Sequence, residues 1–173
     1  GMAGAWLAAL LVFVDLLEGQ TLDVDLYQWL EAGRVQVAVG ILVDPLTAVM
    51  LVVVTTVGLA VQVYAAGYMR GRGGGARFFT KLDFSVFAAL VLVLANNYAL
   101  LYAGWVGVGL GSYLLIDSST ATKSAIVDRI GEAGFALALV LLLVHCGTLD
   151  FAEVREGAAV LSTGEATLIG LLL

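Results

Sequence analysis

Two stretches of this chain, Pro45 to Met69 and Phe84 to Ile116, contain no charged side chain at all. Runs of that length must be hidden from water, either deep in a large soluble core or in lipid. The rest of the chain decides between the two. Of 173 residues, 61% are hydrophobic and 13% are charged, and the mean hydropathy is +1.03. A soluble domain carries about 25% charged residues. There is too little polar surface here to cover such a core, so the bilayer is the natural solvent.

The second uncharged run cannot be one span. As a straight helix it would measure about 50 Å, against a hydrocarbon core of about 30 Å. Asn96-Asn97 is the natural break, read as a turn. The resulting expectation is an all-α, polytopic transmembrane helical bundle. It forms a single membrane domain over 1–173, with spans at about 2–17, 45–67, 78–95, 98–116 and 125–146 and the start of another at 166–173. That last piece would be only about 12 Å long as a helix, so the chain reads as a piece of a larger one. Between the first two spans, Leu22-Asp23-Val24-Asp25-Leu26 and Val35-Gln36-Val37-Ala38-Val39 alternate with a period near two around Gly33. They predict a short extramembrane β-hairpin at about 20–43. Asp44 before Pro45 is a helix-start signal.

Basic residues set the orientation. Arg70, Arg72, Arg77, Lys81, Lys123 and Arg129 belong to alternate connections, and the others hold only Arg34 and Arg155. The positive-inside rule puts the first group on the cytoplasmic side. The opposite side is acidic, with Glu18, Asp23, Asp25, Glu31, Asp44, Asp150, Glu153, Glu156 and Glu165. A net charge of -6 argues against nucleic acid as a partner. The lone Cys146 and lone His145 exclude an internal disulfide and any metal site built from several cysteines or histidines.

Two places carry possible chemistry. The stretch from Tyr102 to Tyr113 holds Gly104, Gly107, Gly109 and Gly111. Small residues at such steps let helices pack closely in lipid. The competing nucleotide-loop reading needs a preceding strand and G-x-G-x-x-G spacing, neither of which is present. The second place is Asp128-Arg129-Ile130-Gly131-Glu132. Arg129 and Glu132 are three apart and share a helix face, so they can pair. Burying either one alone in hydrocarbon costs about 2.5–3.5 kcal/mol. One reading makes Asp128 and Arg129 interfacial anchors. The other makes Glu132 a protonatable site facing the bundle interior, where desolvation and a nearby cation pull a carboxylate in opposite directions, as a relay requires. His145 and the tyrosines Tyr64, Tyr68, Tyr98 and Tyr102 fit span ends.

The ordered set of motifs resembles the chain-5 (L) subunit of respiratory complex I. The resemblance is carried by Asp44-Pro45-Leu46, Tyr68-Met69-Arg70-Gly71, Arg77-Phe78-Phe79, Asn96-Asn97, Gly104-Trp105-x-Gly107-Val108-Gly109-Leu110, Ser112-Tyr113-Leu114-Leu115-Ile116, Asp128-Arg129-Ile130-Gly131-Glu132 and Gly147-Thr148-Leu149-Asp150-Phe151. It implies an antiporter-like, proton-translocating subunit of the NADH:quinone oxidoreductase translocase, with the electron chemistry elsewhere and no cofactor in this subunit. It implies a proton pathway through Glu132 and Arg129. The expected partners are other membrane-arm subunits, the lipid bilayer and protons, and the expected place is the bacterial inner membrane. The large subunit of a multi-subunit cation/proton antiporter, a related hydrogenase or bicarbonate-uptake subunit, and a purely structural piece are the alternatives.

There are three departures from the family pattern. The family's glutamate between Trp105 and Gly107 is replaced by Val106, which cannot titrate. The inside loop from Ile116 to Lys123 is short. The chain stops before the seventh helix and its pathway lysine. This piece alone is therefore expected to transport nothing, and a full-length protein with Val106 to pump poorly.

Overall fold

The computed structural model describes residues 1–16, 21–32, 35–70, 74–116, 118–157 and 163–173. The turn expected at Gly33, together with Arg34 and Arg72, lies outside the described residues. The order is α1 (Met2–Leu16), β1 (Leu22–Ala32), β2 (Val35–Val43), α2 (Pro45–Tyr68), α3 (Gly75–Leu94), α4 (Tyr98–Leu115), α5 (Ser118–Cys146), α6 (Phe151–Gly157) and α7 (Thr163–Leu172). The molecule is a mainly helical bundle with one two-stranded antiparallel hairpin. Among the described residues, α2 and α4 are each long and apolar enough to cross a membrane, and α1 and α7 are apolar but shorter. Charge tells the remaining two apart: α3 carries Arg77, Lys81 and Asp83, and α5 carries Asp128, Arg129 and Glu132.

The helix starts follow their local signals. Asp44 caps α2, its side chain accepting from the backbone N–H of Thr47 at 2.6 Å, with Pro45 in the first turn. Two helices extend into stretches read as connections. Helix α5 begins at Ser118 rather than Ala125, and α7 at Thr163 rather than 166. No glycine or proline falls between Ser118 and Gly131, so nothing in the sequence stops the helix earlier. The connection after α5 also holds the short α6, whose start is capped by Asp150 accepting from Ala152 N–H at 2.8 Å.

The hairpin pairs Leu22 with Val43 through to Ala32 with Val35, with register shifts between Asp25 and Tyr27 and between Gln28 and Leu30. It is joined to the break between α3 and α4. Asn96 and Asn97 are both 4% exposed, so the reading of them as a simple turn needs correction. Asn97 accepts from Leu100 N–H at 2.8 Å, capping α4, and its amide donates to the Ala38 carbonyl of β2. The Asn96 amide donates to Asp25 at 2.9 Å and, more weakly, to Asp23 at 3.4 Å. A Cβ at Gly40 would overlap the Asn96 side chain, so glycine is what lets the strand approach the break. On the other side, Tyr98 N–H donates to the Leu149 carbonyl at 2.9 Å.

The hairpin, the Asn96-Asn97 break and the loop at Gly147–Asp150 therefore meet at one end of the bundle, as an alternating topology requires of those three connections. A satellite core of Leu142, Leu149, Val154 and Ile169 seals the same end. Asn97→Ala removes a cap and a buried donor together. It is expected to cost about 2 kcal/mol, read as a lower melting temperature in detergent. An unchanged melting temperature would show that the joint contributes nothing.

Candidate functional site

The candidate site lies between α4 and α5. On α5 the buried positions are Glu132, Phe135, Ala138 and Leu142, spaced as one helix stripe. Glu132 thus takes the place of an apolar residue in a packed seam, and only 5% of it is exposed. Arg129, one turn earlier, reaches it: Nη1 lies 2.7 Å from Oε2. The arginine side chain itself is 58% exposed, so the pair has one buried end and one open end. The second carboxylate oxygen, Oε1, is buried and has no hydrogen-bond partner among the described residues.

Helix α4 shapes the opposite wall with its glycines, which divide between two faces. A Cβ at Gly104 would sit 2.6 Å from the Leu92 backbone, at Gly107 2.9 Å from Ala88 Cβ, and at Gly111 2.9 Å from Ser85 Cβ. These three bring α4 against α3, where no larger residue fits. Gly109 points the other way, where a Cβ would be 3.2 Å from Glu132 Oε1. Its missing side chain makes room for the carboxylate. Phe135 meets the rings of Tyr102 and Trp105 edge-on, at centroid distances of 5.3 and 6.2 Å, and ties α4 to α5 beside the acid. A cavity of about 300 Å³ opens there, lined by Trp105, Gly109, Ser112, Asp128 and Glu132 among others.

The structure thus brings Arg129, Glu132 and Gly109 together and assigns Gly104, Gly107 and Gly111 to the α3 contact. Val106 is half-buried and does not line the cavity. His145 stands away from this site. Its Nε2 is 3.3 Å from Glu165 on α7, and its Nδ1 is 2.8 Å from the Leu141 carbonyl. Asp128 and Ser112 were not singled out as a pair with Glu132 by sequence reasoning. The spacing of Asp128 and Glu132, four apart on one helix, was the available signal.

Comparison with known proteins bears on this arrangement. Residues 29–79 match the family model for the N-terminus of NADH-ubiquinone oxidoreductase (complex I) chain 5. The NADH-quinone oxidoreductase subunit L of Mycobacterium tuberculosis is 38% identical over 178 residues, covering 98% of this chain and 28% of that protein. Subunit L of Escherichia coli K12 is 38% identical, covering 90% of this chain and 28% of its own length. NADH-ubiquinone oxidoreductase chain 5 of Metridium senile is 37% identical, covering 95% and 29%. The chain therefore spans between a quarter and a third of the length of these relatives.

Among solved structures, the Mrp complex from Dietzia sp. DQ12-45-1b superposes with a TM-score of 0.79 at 23% identity, covering 99% of this chain and 20% of that one. The membrane-bound sulfane sulfur reductase, an archaeal respiratory membrane complex, gives 0.74 at 18% identity, covering 99% and 28%. Those two likenesses establish a shared fold. With the motifs in order along the chain and identity near two residues in five over almost all of it, this chain belongs to the antiporter-like subunit L (chain 5) family of NADH-quinone oxidoreductase.

Proposed function

We propose that this chain forms part of a proton-translocating membrane-arm subunit of NADH:quinone oxidoreductase, in which electron transfer from NADH to quinone drives protons across the membrane. The observation that carries the reading is the Glu132 carboxylate, buried in a helix seam with one oxygen held by Arg129 and the other facing a cavity. An intramembrane acid is costly, and one that persists usually has a task. A carboxylate in this setting takes up a proton at its open oxygen and gives it back when the cation beside it draws the anion closer. The subunit would carry no cofactor, since proton transfer needs only the side chains, and the redox groups would lie in other subunits. Its partners are the neighbouring membrane-arm subunits and the surrounding lipid, and its place is the bacterial inner membrane.

A second reading keeps the same site and changes the driving force. As the large subunit of a multi-subunit cation/proton antiporter, or a related hydrogenase or bicarbonate-uptake subunit, the chain would exchange protons without NADH oxidation. The fold shared with the Mrp complex supports keeping it. Inverted membrane vesicles containing the protein in its native assembly decide the matter. Proton uptake on addition of NADH, lost when the gene is deleted, is the expected result. Uptake that responds only to an imposed cation gradient favours the second reading, and no response to either refutes both. On the first reading Val106→Glu is expected to raise the proton yield per NADH in the full-length protein. Equal yields with both residues would show that position 106 does not limit pumping.

A further inference from the structure

The cavity between α4 and α5 has a second acid on its wall. Asp128 lies one turn before Glu132 and lines the same space, facing Trp105, Gly109 and Ser112 of α4. A separation of four residues places both carboxylates on one helix face. Among the described residues the charged groups at this wall are Asp128, Arg129 and Glu132, all from α5, and the α4 side is uncharged. Arg129 is committed to Oε2 of Glu132. The other oxygen, Oε1, is buried without a partner beside Gly109, which itself lines the cavity.

Buried polar atoms in native proteins nearly always have a partner, and where no protein group is in reach it is ordered water. A cavity of about 300 Å³ has room for several waters, each taking roughly 30 Å³. Its wall supplies what they need: the carboxylates of Asp128 and Glu132 accept, and the Ser112 hydroxyl, which donates to the Gly109 carbonyl at 2.8 Å, still has lone pairs to accept with.

We infer that a short chain of waters crosses this cavity from Asp128 to the open Oε1 of Glu132, making Asp128 the group that exchanges protons with Glu132. This rests on reading Glu132 as a proton carrier. In one transfer the Asp128 carboxyl releases its proton to the adjacent water, each water passes one proton on, and the last forms the new O–H bond at Oε1. Asp128 is left anionic and Glu132 neutral, and the waters are unchanged in number and charge. Asp128 lies toward the amino end of α5, on the side marked by the basic connections. The hairpin and the Asn96-Asn97 joint sit at the other end. The cavity therefore opens Glu132 to the basic side of the membrane.

The test uses vesicles carrying the native assembly, with Asp128→Asn, Asp128→Glu and Glu132→Gln compared for NADH-driven proton uptake. Asp128→Asn is expected to fall to the Glu132→Gln level, and Asp128→Glu to recover most of the loss. Uptake by Asp128→Asn at the wild-type rate, with Glu132→Gln silent, overturns this inference and leaves Glu132 in its role. Wild-type uptake from both removes the role of Glu132 and this inference with it. Equal loss in Asp128→Asn and Asp128→Glu marks a structural effect and also overturns it. Should Asp128→Asn fail to assemble, the wild-type protein answers by infrared spectroscopy. The carboxyl C=O band that Glu132→Gln removes is expected to shift on transfer to D₂O within the mixing time, and a band that stays unshifted for hours rules out the water chain.

Discussion

Glu132→Gln is expected to stop proton translocation while leaving the helix bundle folded. The amide has nearly the volume of the acid, so Phe135, Tyr102 and Trp105 keep their places around it. Its carbonyl can still accept from Arg129, across the contact that is 2.7 Å in the acid. A neutral side chain also escapes the desolvation cost of a buried charge. Stability should change by no more than about 1 kcal/mol, seen as nearly the same melting temperature in detergent, whereas proton uptake is lost. Arg129→Leu should do the reverse to stability. It leaves the carboxylate with no cation, at a cost of about 2 kcal/mol. That is less than for a fully buried pair, because 58% of the arginine side chain is exposed. Full proton uptake by Glu132→Gln in correctly assembled protein would remove this acid from the pathway.

Gly104→Val is expected to disrupt the bundle itself. A Cβ there would lie 2.6 Å from both the nitrogen and the Cα of Leu92, and 2.8 Å from its Cβ. Backbone cannot step aside as a side-chain tip can, so α3 and α4 must separate. Overpacking of this kind costs about 3 kcal/mol or more, and here the loss spreads along the seam through Gly107 against Ala88 and Gly111 against Ser85. The variant should accumulate poorly in the membrane and melt well below wild type. Gly109→Ala is the control. Its Cβ would approach only the carboxylate oxygen, at 3.2 Å, so accumulation should be normal and any defect should appear in proton uptake. Similar accumulation of Gly104→Val and wild type would contradict the close-packed reading of this seam.

Much of the architecture follows from short-range rules. Asp44-Pro45 predicts the start of α2, and the charge-free runs predict helices where α2, α3 and α4 stand. The alternation around Gly33 predicts a hairpin, although the strands run on to Ala32 and Val43, beyond the alternating cores. The helix starts at Ser118 and Thr163 were harder to place. Membrane length limits where lipid ends, and a helix with no glycine or proline in its path can continue into water beyond that edge. Asn96 and Asn97 show the same limit differently. As dipeptides they signal a turn, but their side chains are buried by partners far away in sequence, Asp25 and Ala38.

The sequence by itself determined the solvent of this protein, its helical class, the pairing of Arg129 with Glu132 and the family to which it belongs, because each depends on composition, on periodicity within one helix or on motifs read in order. Only the tertiary structure decided which glycines pack against α3 and which one makes room for an acid, that Glu132 has a free oxygen, and that Asp128 shares its cavity. Those facts depend on how α3, α4 and α5 are rotated about their axes. That rotation is set by the summed contacts of whole helix faces, which no local pattern of residues encodes.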